Sequence, residues 1–461
     1  MNATSSTLAT LTDELRANFN RGCTKNLDYR RKQLSGLALF LKECETEIEQ
    51  ALYEDLHKSP IEAFATEINL VAVEIKLNLK KLSAWTKPKK VPTPLGTKPG
   101  TSLIYPEPLG LVLIIAPWNY PLQLTLSPLI GAIAAGNCAI IKPSELAPAT
   151  SKLLQEKLPQ YLDPASVRIV VGGVAETTAL LAQKFDSIFY TGNGTVGRII
   201  LEAAAKNLTP VTLELGGKSP CIVDKDADIP VAARRIVWGK FLNAGQTCVA
   251  PDYVLAHEDI KTELLEHMEQ SLIEFWGVHP ETSKDYGRII NKHHFQRLMH
   301  LIPGNGKIIV GGQADKNTNY IAPTILSHVP MDSPIMTEEI FGPLLPIIPI
   351  KTITEAISYI NTQPKPLALY AFTNQKHIKK QIIEQTSSGS VCINHVMLQL
   401  TVPDLPFGGV GSSGMGAYHG HASFKTFSHY KSVLNKPTWF DPSIAYPPYH
   451  KLLKLILRWM M

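Results

Sequence analysis

Charge is scarce in this chain. Only 18% of its 461 residues are Asp, Glu, Lys or Arg, too few for a disordered chain or one that coats nucleic acid. The basic excess is small, 45 against 40 acidic residues for a net charge of +5. It is spread along the sequence, so no nucleic-acid partner is expected. Cysteine is scarce too. The six cysteines, at positions 23, 44, 138, 221, 248 and 392, form no Cys-x-x-Cys pair, which argues against a disulfide framework or a zinc site and for a reducing compartment. Long hydrophobic runs are missing. The longest, 109–117, falls well short of the roughly 18 apolar residues that span a bilayer. Residues 1–16 are polar and carry acids, unlike a secretory signal. The expected location is therefore the cytoplasm.

What remains is a globular composition, 44% hydrophobic, in a length that suits two to three domains. The first 85 residues read as helices. Leu34, Leu37, Leu41, Cys44 and Ile48 form one apolar stripe, and Ile61, Phe64, Ile68, Val71 and Ile75 a second. A Lys- and Pro-rich stretch, 87–99, reads as an extended connector. Short apolar runs then alternate with helical segments. Strands are expected at 111–116, 139–141, 167–171 and 187–190. Helices are expected up to Gly136, over 148–162, around 177–183 and over 195–207. Continuous apolar strands separated by helices predict an α/β fold whose parallel sheet is covered on both faces. A second α/β series runs from 211 to about 392. The segment 449–461 is short, basic and amphipathic. It reads either as a terminal helix docked on its own protein or as a peripheral membrane contact.

The sequence Gly192-Asn193-Gly194-Thr195-Val196-Gly197 follows an expected strand and opens an expected helix. There, glycines permit a tight turn and the helix N-terminus offers free amides to a pyrophosphate. The same spacing occurs in a βα turn that binds nothing. Glu214 lies about where the dinucleotide fingerprint places its ribose-binding acid. The turn is not the first of the series, however, and Lys142 and Glu145 also follow a strand. That pair can hold the ribose and leave Glu214 for chemistry.

Seven blocks, in order, carry a family resemblance. They are Ala116-Pro117-Trp118-Asn119-Tyr120-Pro121, Ile141-Lys142-Pro143-Ser144-Glu145, the glycine turn, Leu213-Glu214-Leu215-Gly216-Gly217-Lys218-Ser219-Pro220, Asn243-Ala244-Gly245-Gln246-Thr247-Cys248, Glu338-Glu339-Ile340-Phe341-Gly342-Pro343 and Leu405-Pro406-Phe407-Gly408-Gly409-Val410-Gly411. From about residue 10 to 430 the chain resembles the aldehyde dehydrogenase superfamily. The resemblance implies a Rossmann-like NAD-binding domain (1–85 and 103–210) and an α/β catalytic domain (211–392). It also implies a small β bridging and oligomerisation element (86–102 and 393–430), with 431–461 as a C-terminal tail. It makes Cys248 the nucleophile, Asn119 a side-chain oxyanion donor and Glu214 the general base. Lys142, Glu145, Gly192, Asn193, Gly197, Leu215, Glu339 and Phe341 become cofactor residues, with Glu339 and Phe341 at the nicotinamide end.

The chemistry accounts for such residues. A free aldehyde is a poor hydride donor, and thiolate addition makes it a good one. An amide at the adduct oxygen stabilises charge where it develops, and the amides of Gly245 and Gln246 are expected to add to it. A buried carboxylate can take a proton from the thiol or from water attacking the thioester. A glutamate paired to Lys218 is the plain structural alternative for Glu214. The glutamate favours a free acid over acyl transfer to coenzyme A, and a non-catalytic dinucleotide-binding protein is the remaining alternative. The segment 409–429 resembles the class 3 branch, which includes fatty, benzaldehyde-type and coniferyl aldehyde dehydrogenases. That implies a homodimer and NAD, with NADP as the alternative; Glu145 would repel a 2′-phosphate. Substrates are expected among long-chain aliphatic or aromatic aldehydes. His419 and His421 lack a third ligand, so no metal is expected. His395 stands where relatives of this branch often carry aspartate.

Overall fold

The computed structural model describes all residues except 1–4, 303, 305, 450 and 461. The start of the 1–85 segment and two positions of the 449–461 tail therefore lie outside the described residues.

Two sheets organise the molecule. In the first, the strands lie in the order Gly414–Met415, Val211–Glu214, Ser187–Thr191, Leu111–Ile115, Cys138–Lys142 and Val167–Ile169. All pairings are parallel except that of Gly414–Met415. The three central strands are buried at every position, because helices cover both faces, and their interiors are apolar while polar residues such as Lys142, Ser187 and Thr191 stand at strand ends. Gln123–Ala135 is one such helix. It is buried along its whole length and ends at Gly136, whose φ of 96° and amide bonds to the carbonyls of Ala132 and Ile133 close it. The chain starts this sheet at Leu111–Ile115, builds outward through Cys138–Lys142 and Val167–Ile169, then returns to the other side with Ser187–Thr191. That reversal opens a crevice at the carboxyl ends of Leu111–Ile115 and Ser187–Thr191, where ligands of such sheets bind.

The second sheet has seven strands, in the order Lys307–Val310, Thr324–Ser327, Leu344–Ile350, Tyr253–His257, Pro220–Val223, Ala368–Phe372 and Ser390–Ile393. Only the first is antiparallel. A third sheet joins Lys89–Val91, Thr101–Pro108 and Ser428–Asn435 in antiparallel register. Part of the 87–99 connector is therefore a strand.

The N-terminal stripes need correction. The first is buried throughout, but on two helices, Leu27–Glu43 and Glu45–Leu56, that part at Cys44. In the second, Ile61 is 77% exposed and Phe64 41%. The cause is a π-turn over Phe64–Ile68, closed by the Asn69 amide on the Phe64 carbonyl. One extra residue in the turn shifts the phase of the helix. It carries Phe64 outward and turns Glu67 into the core.

Candidate active site

Glu67 is fully buried and meets the fully buried Lys58, with Nζ 2.5 Å from Oε1. Its second oxygen accepts from the amides of Leu122 and Gln123, at 2.8 and 3.2 Å. Lys58 also donates to the carbonyl of Asn119 (2.9 Å) and sits 3.9 Å over the ring of Tyr120. The loop after the Leu111–Ile115 strand, which carries Asn119, is thus clamped from the N-terminal helices.

The clamp continues to the cysteine. Asn119 Nδ2 donates to the carbonyl of Gln246 (3.0 Å), and Asn243 Nδ2 donates back to the Asn119 carbonyl (2.8 Å). Tyr120 and Thr247 share a hydroxyl bond of 2.7 Å. Asn243, Ala244 and Gly245 have φ of 53°, 50° and 75°, three left-handed residues in a row. The first two cost of order 1 kcal/mol each. Gly245 cannot be replaced at all without movement, since a Cβ there would lie 2.2 Å from the carbonyl oxygen of Gly342. Glu62 holds this strained loop by accepting from the Asn243 amide at 2.9 Å, and burial raises its carboxyl to about 7.

Cys248 ends the loop, at the wall of an apolar cavity of about 290 Å³ that Leu70, Leu124, Trp238 and Leu400 also line. Burial, followed by the charges of Glu339 and Glu214, pushes its thiol up to about 12. The amides aimed at the sulfur are those of Cys248 and Val249. The Gln246 amide instead donates to the Asn243 carbonyl (3.1 Å), which corrects the expectation that it is free for an oxyanion.

Glu214 is the last residue of its strand and only 2% exposed. Neither carboxyl oxygen has a partner among the described residues, and burial holds the group well above the usual carboxylate range. Pairing with Lys218 does not occur. That lysine is bound to Asp252 and to the carbonyls of Ile335 and Glu338, both at 2.8 Å.

The expected cofactor residues surround the crevice. Gly192 follows the Ser187–Thr191 strand, and its amide reaches the Glu214 carbonyl at 3.0 Å. Asn193 caps the helix Gly194–Ala205 by accepting from Val196 N at 3.0 Å. Gly197 lets Leu215 pack close, since a Cβ would stand 3.2 Å from the leucine. Lys142 ends the Cys138–Lys142 strand and pairs with the half-exposed Glu145 at 2.5 Å. Glu339 lies folded against Gly216 and Gly217. One of its oxygens is buried without a partner among the described residues, and its carboxyl is raised to about 7, first by burial and then by Asp252. Phe341 meets Trp118 edge-on, with centroids 5.3 Å apart. An acid with an unsatisfied oxygen, beside a glycine turn that a Cβ at Gly192 would jam against Tyr190, suits a dinucleotide with hydroxyls to bind.

Asn119, Glu214, Cys248 and Glu339 thus converge, whereas Lys142 and Glu145 stand further along the sheet, at the end of the strand beyond Leu111–Ile115. Sequence reasoning missed Lys58, Glu62 and Glu67. Their only local mark is the Lys58-Ser59-Pro60 helix start, where Ser59 caps Glu62 N.

Residues 2–433 match the family model described as the Aldehyde dehydrogenase family. The chain is 50% identical to "Aldehyde dehydrogenase, dimeric NADP-preferring" of Canis lupus familiaris, covering 96% of this chain and 98% of the relative. It is 49% identical to "Aldehyde dehydrogenase family 3 member B1" of Homo sapiens, covering 94% and 93%. Among solved structures, "Substrate bound state of Staphylococcus Aureus AldH" superimposes with a TM-score of 0.96 at 47% identity, over 98% of this chain and 99% of that one.

Proposed function

This chain belongs to the aldehyde dehydrogenase family and oxidises aldehydes with NAD(P); from that premise we propose how its residues divide the work and which aldehydes it takes. One observation carries the reading. A thiol lines the wall of an apolar cavity, within electrostatic reach of a buried carboxyl that has no partner among the described residues.

Cys248 gives up its proton to solvent water and its sulfur attacks the aldehyde carbon. The carbonyl electron pair moves to oxygen, where the Asn119 side chain donates to it. A bound NAD(P)+ would supply the acceptor for the hydride that this adduct releases, leaving a thioester on Cys248. Glu214 takes a proton from water as the water oxygen attacks the thioester. The carbon–sulfur bond then breaks and the acid leaves. The thiol must fall from about 12 for the first step. The neutral form of Glu214 acts in that direction, as would the positive charge of a bound oxidised nicotinamide. For the last step Glu214 must be ionised.

Glu339 and Phe341 would hold the nicotinamide end of the cofactor. The glycine turn and Leu215 would border the pyrophosphate, and Lys142 with Glu145 would hold the adenosine ribose. Glu145 favours NAD. Its side chain is 44% exposed and paired to Lys142, so NADP is disfavoured without being shut out. The cavity walls favour long-chain aliphatic aldehydes over aromatic ones, because a flexible chain can follow a narrow apolar lining.

The protein works as a homodimer, a reading supported by the word "dimeric" in the canine relative's name. Ser428–Asn435 is an edge strand of the small sheet and could be extended by a partner. On this reading 1–85 and 103–210 bind cofactor, 211–392 carry Cys248, and 86–102 with 393–430 bridge. No described helix is long and apolar enough to cross a membrane. The helix Lys451–Met460 lies against the Leu95–Thr97 turn, yet Leu452 and Leu455 are 57% and 60% exposed beside Lys451, Lys454 and Arg458. That supports a peripheral contact with anionic lipid.

Reduced-cofactor absorbance with a series of alkanals and benzaldehydes tests the reading. Rising kcat/KM with chain length supports it, and a maximum at benzaldehyde overturns the aliphatic assignment.

A further inference from the structure

Beside the Cys248 cavity lies a second cavity of about 450 Å³, and the two share Trp238 and Leu398 as a common wall. Its character is different. Arg234, Arg235 and His395 line it together with Val231 and Phe275, and no Asp or Glu is among its lining residues. Neither arginine makes an ion pair among the described residues; Arg235 donates to the carbonyl of Asn394, and Arg234 is exposed. The imidazole of His395 is oriented by contacts of Nδ1 with the Val396 amide and carbonyl, at 2.9 and 2.8 Å, and packs edge-on against Trp238.

One helix, Ile229–Phe241, lays out the path. Residues three and four apart share a helix face. Arg234 and Arg235 are therefore followed by Trp238 one turn on, and Trp238 by Leu242 at the helix end, which lines the Cys248 cavity. From Arg235 to Leu242 the helix rises about 10 Å. A basic, partly aromatic chamber thus stands beside an apolar one, and the reactive sulfur lines the latter.

We propose that this chamber is an anion subsite, and that the enzyme takes aldehydes bearing a carboxylate at the far end of an alkyl chain. The inference rests on the aldehyde-oxidising reading above. The carboxylate of an ω-oxo acid sits between the guanidiniums of Arg234 and Arg235, its methylenes pass Trp238 and Leu398, and its aldehyde reaches Cys248. The reaction at that end is unchanged. The aldehyde carbon loses two electrons as hydride to NAD(P)+, water supplies the new oxygen, and a dicarboxylic acid leaves. Guanidiniums suit this task because their planar forks match a carboxylate and stay charged at any working pH.

The test compares azelaic semialdehyde with nonanal, which has the same chain length and no carboxylate. The parent should prefer the semialdehyde in kcat/KM by about fivefold or more, the size of a partly exposed ion pair. The preference should shrink as salt rises, because salt screens exposed charges. It should also shrink in Arg234→Gln, whose side chain makes no bond that the fold needs. In His395→Asp, which sets an acid in the chamber, it should reverse. Nonanal turnover measured in each variant serves as the internal reference for folding and chemistry. Equal kcat/KM for the two aldehydes in the parent, or a preference that survives both Arg234→Gln and high salt, overturns the anion subsite while the oxidation reading stands. No turnover of either aldehyde overturns both.

Discussion

Lys58→Met tests how the catalytic loop is held. The methionine fills a similar space but removes the cation from a pair in which both side chains are fully buried. Removing one partner of a buried pair costs about 3–5 kcal/mol, because the other charge is left uncompensated. Here the lower end applies. Glu67 keeps the amides of Leu122 and Gln123, and the Asn119 carbonyl keeps Asn243 Nδ2. The expected loss is therefore about 3 kcal/mol. It should appear as a lower urea midpoint at unchanged slope. Activity should fall as well. The lost bond fixes the residue that carries the oxyanion donor, and a displacement of about 1 Å near the reacting atoms can cost about a hundredfold in rate. Adding Glu67→Gln to Lys58→Met should recover part of the stability, since the buried carboxylate charge goes too. A loss below about 1 kcal/mol with unchanged kcat would refute the clamp.

Further expectations concern the chemistry and the cofactor. Glu214→Gln should release one fast equivalent of reduced cofactor and then turn over about a hundredfold to ten-thousandfold more slowly, since removing a general base typically has that effect; rapid-mixing absorbance reads it. Glu339 should make cofactor binding pH-dependent. With its carboxyl raised to about 7, it is increasingly neutral below that pH and accepts hydroxyls less well, so KM for NAD should rise from pH 8 to 6 and Glu339→Gln should flatten the profile. Glu62 works on stability, which is present while its carboxyl is protonated below its ordinary 4.5. That contribution is lost as pH rises through about 7, so Glu62→Gln should reduce the decline in urea midpoint across this window. Glu145→Gln should raise NADP use relative to NAD several-fold, measured as a ratio of kcat/KM values, by removing the charge that faces a 2′-phosphate.

Much of this architecture was legible in the amino-acid order because parallel strands buried on both faces are built mainly from apolar residues. Leu111–Ile115, Cys138–Lys142 and Ser187–Thr191 therefore stood out, and the reactive blocks sit at their ends. The stripe from Ile61 was misleading. Periodicity assumes an unbroken helix, and the π-turn at Phe64–Ile68 follows from tertiary demand for Glu67 inside rather than from local propensity. The clamp itself was out of reach. Lys58 and Glu67 lie 61 and 55 residues before the backbone groups they hold, at Asn119 and Leu122, and no local pattern marks partners at such separations. The amide at Gln246 was misassigned for a similar reason. Three left-handed residues in succession, only one of them glycine, are not anticipated from Asn243-Ala244-Gly245.

The most direct measurement of the central claim is acid-quenched mass spectrometry of the protein mixed with a saturating alkanal and NAD. The account predicts that the peptide containing Cys248 gains the mass of the aldehyde less two hydrogens, that the same adduct accumulates further in Glu214→Gln, and that Cys248→Ala shows neither adduct nor turnover. Acid production by Cys248→Ala at the parental rate, or an acyl group on another residue, would contradict it.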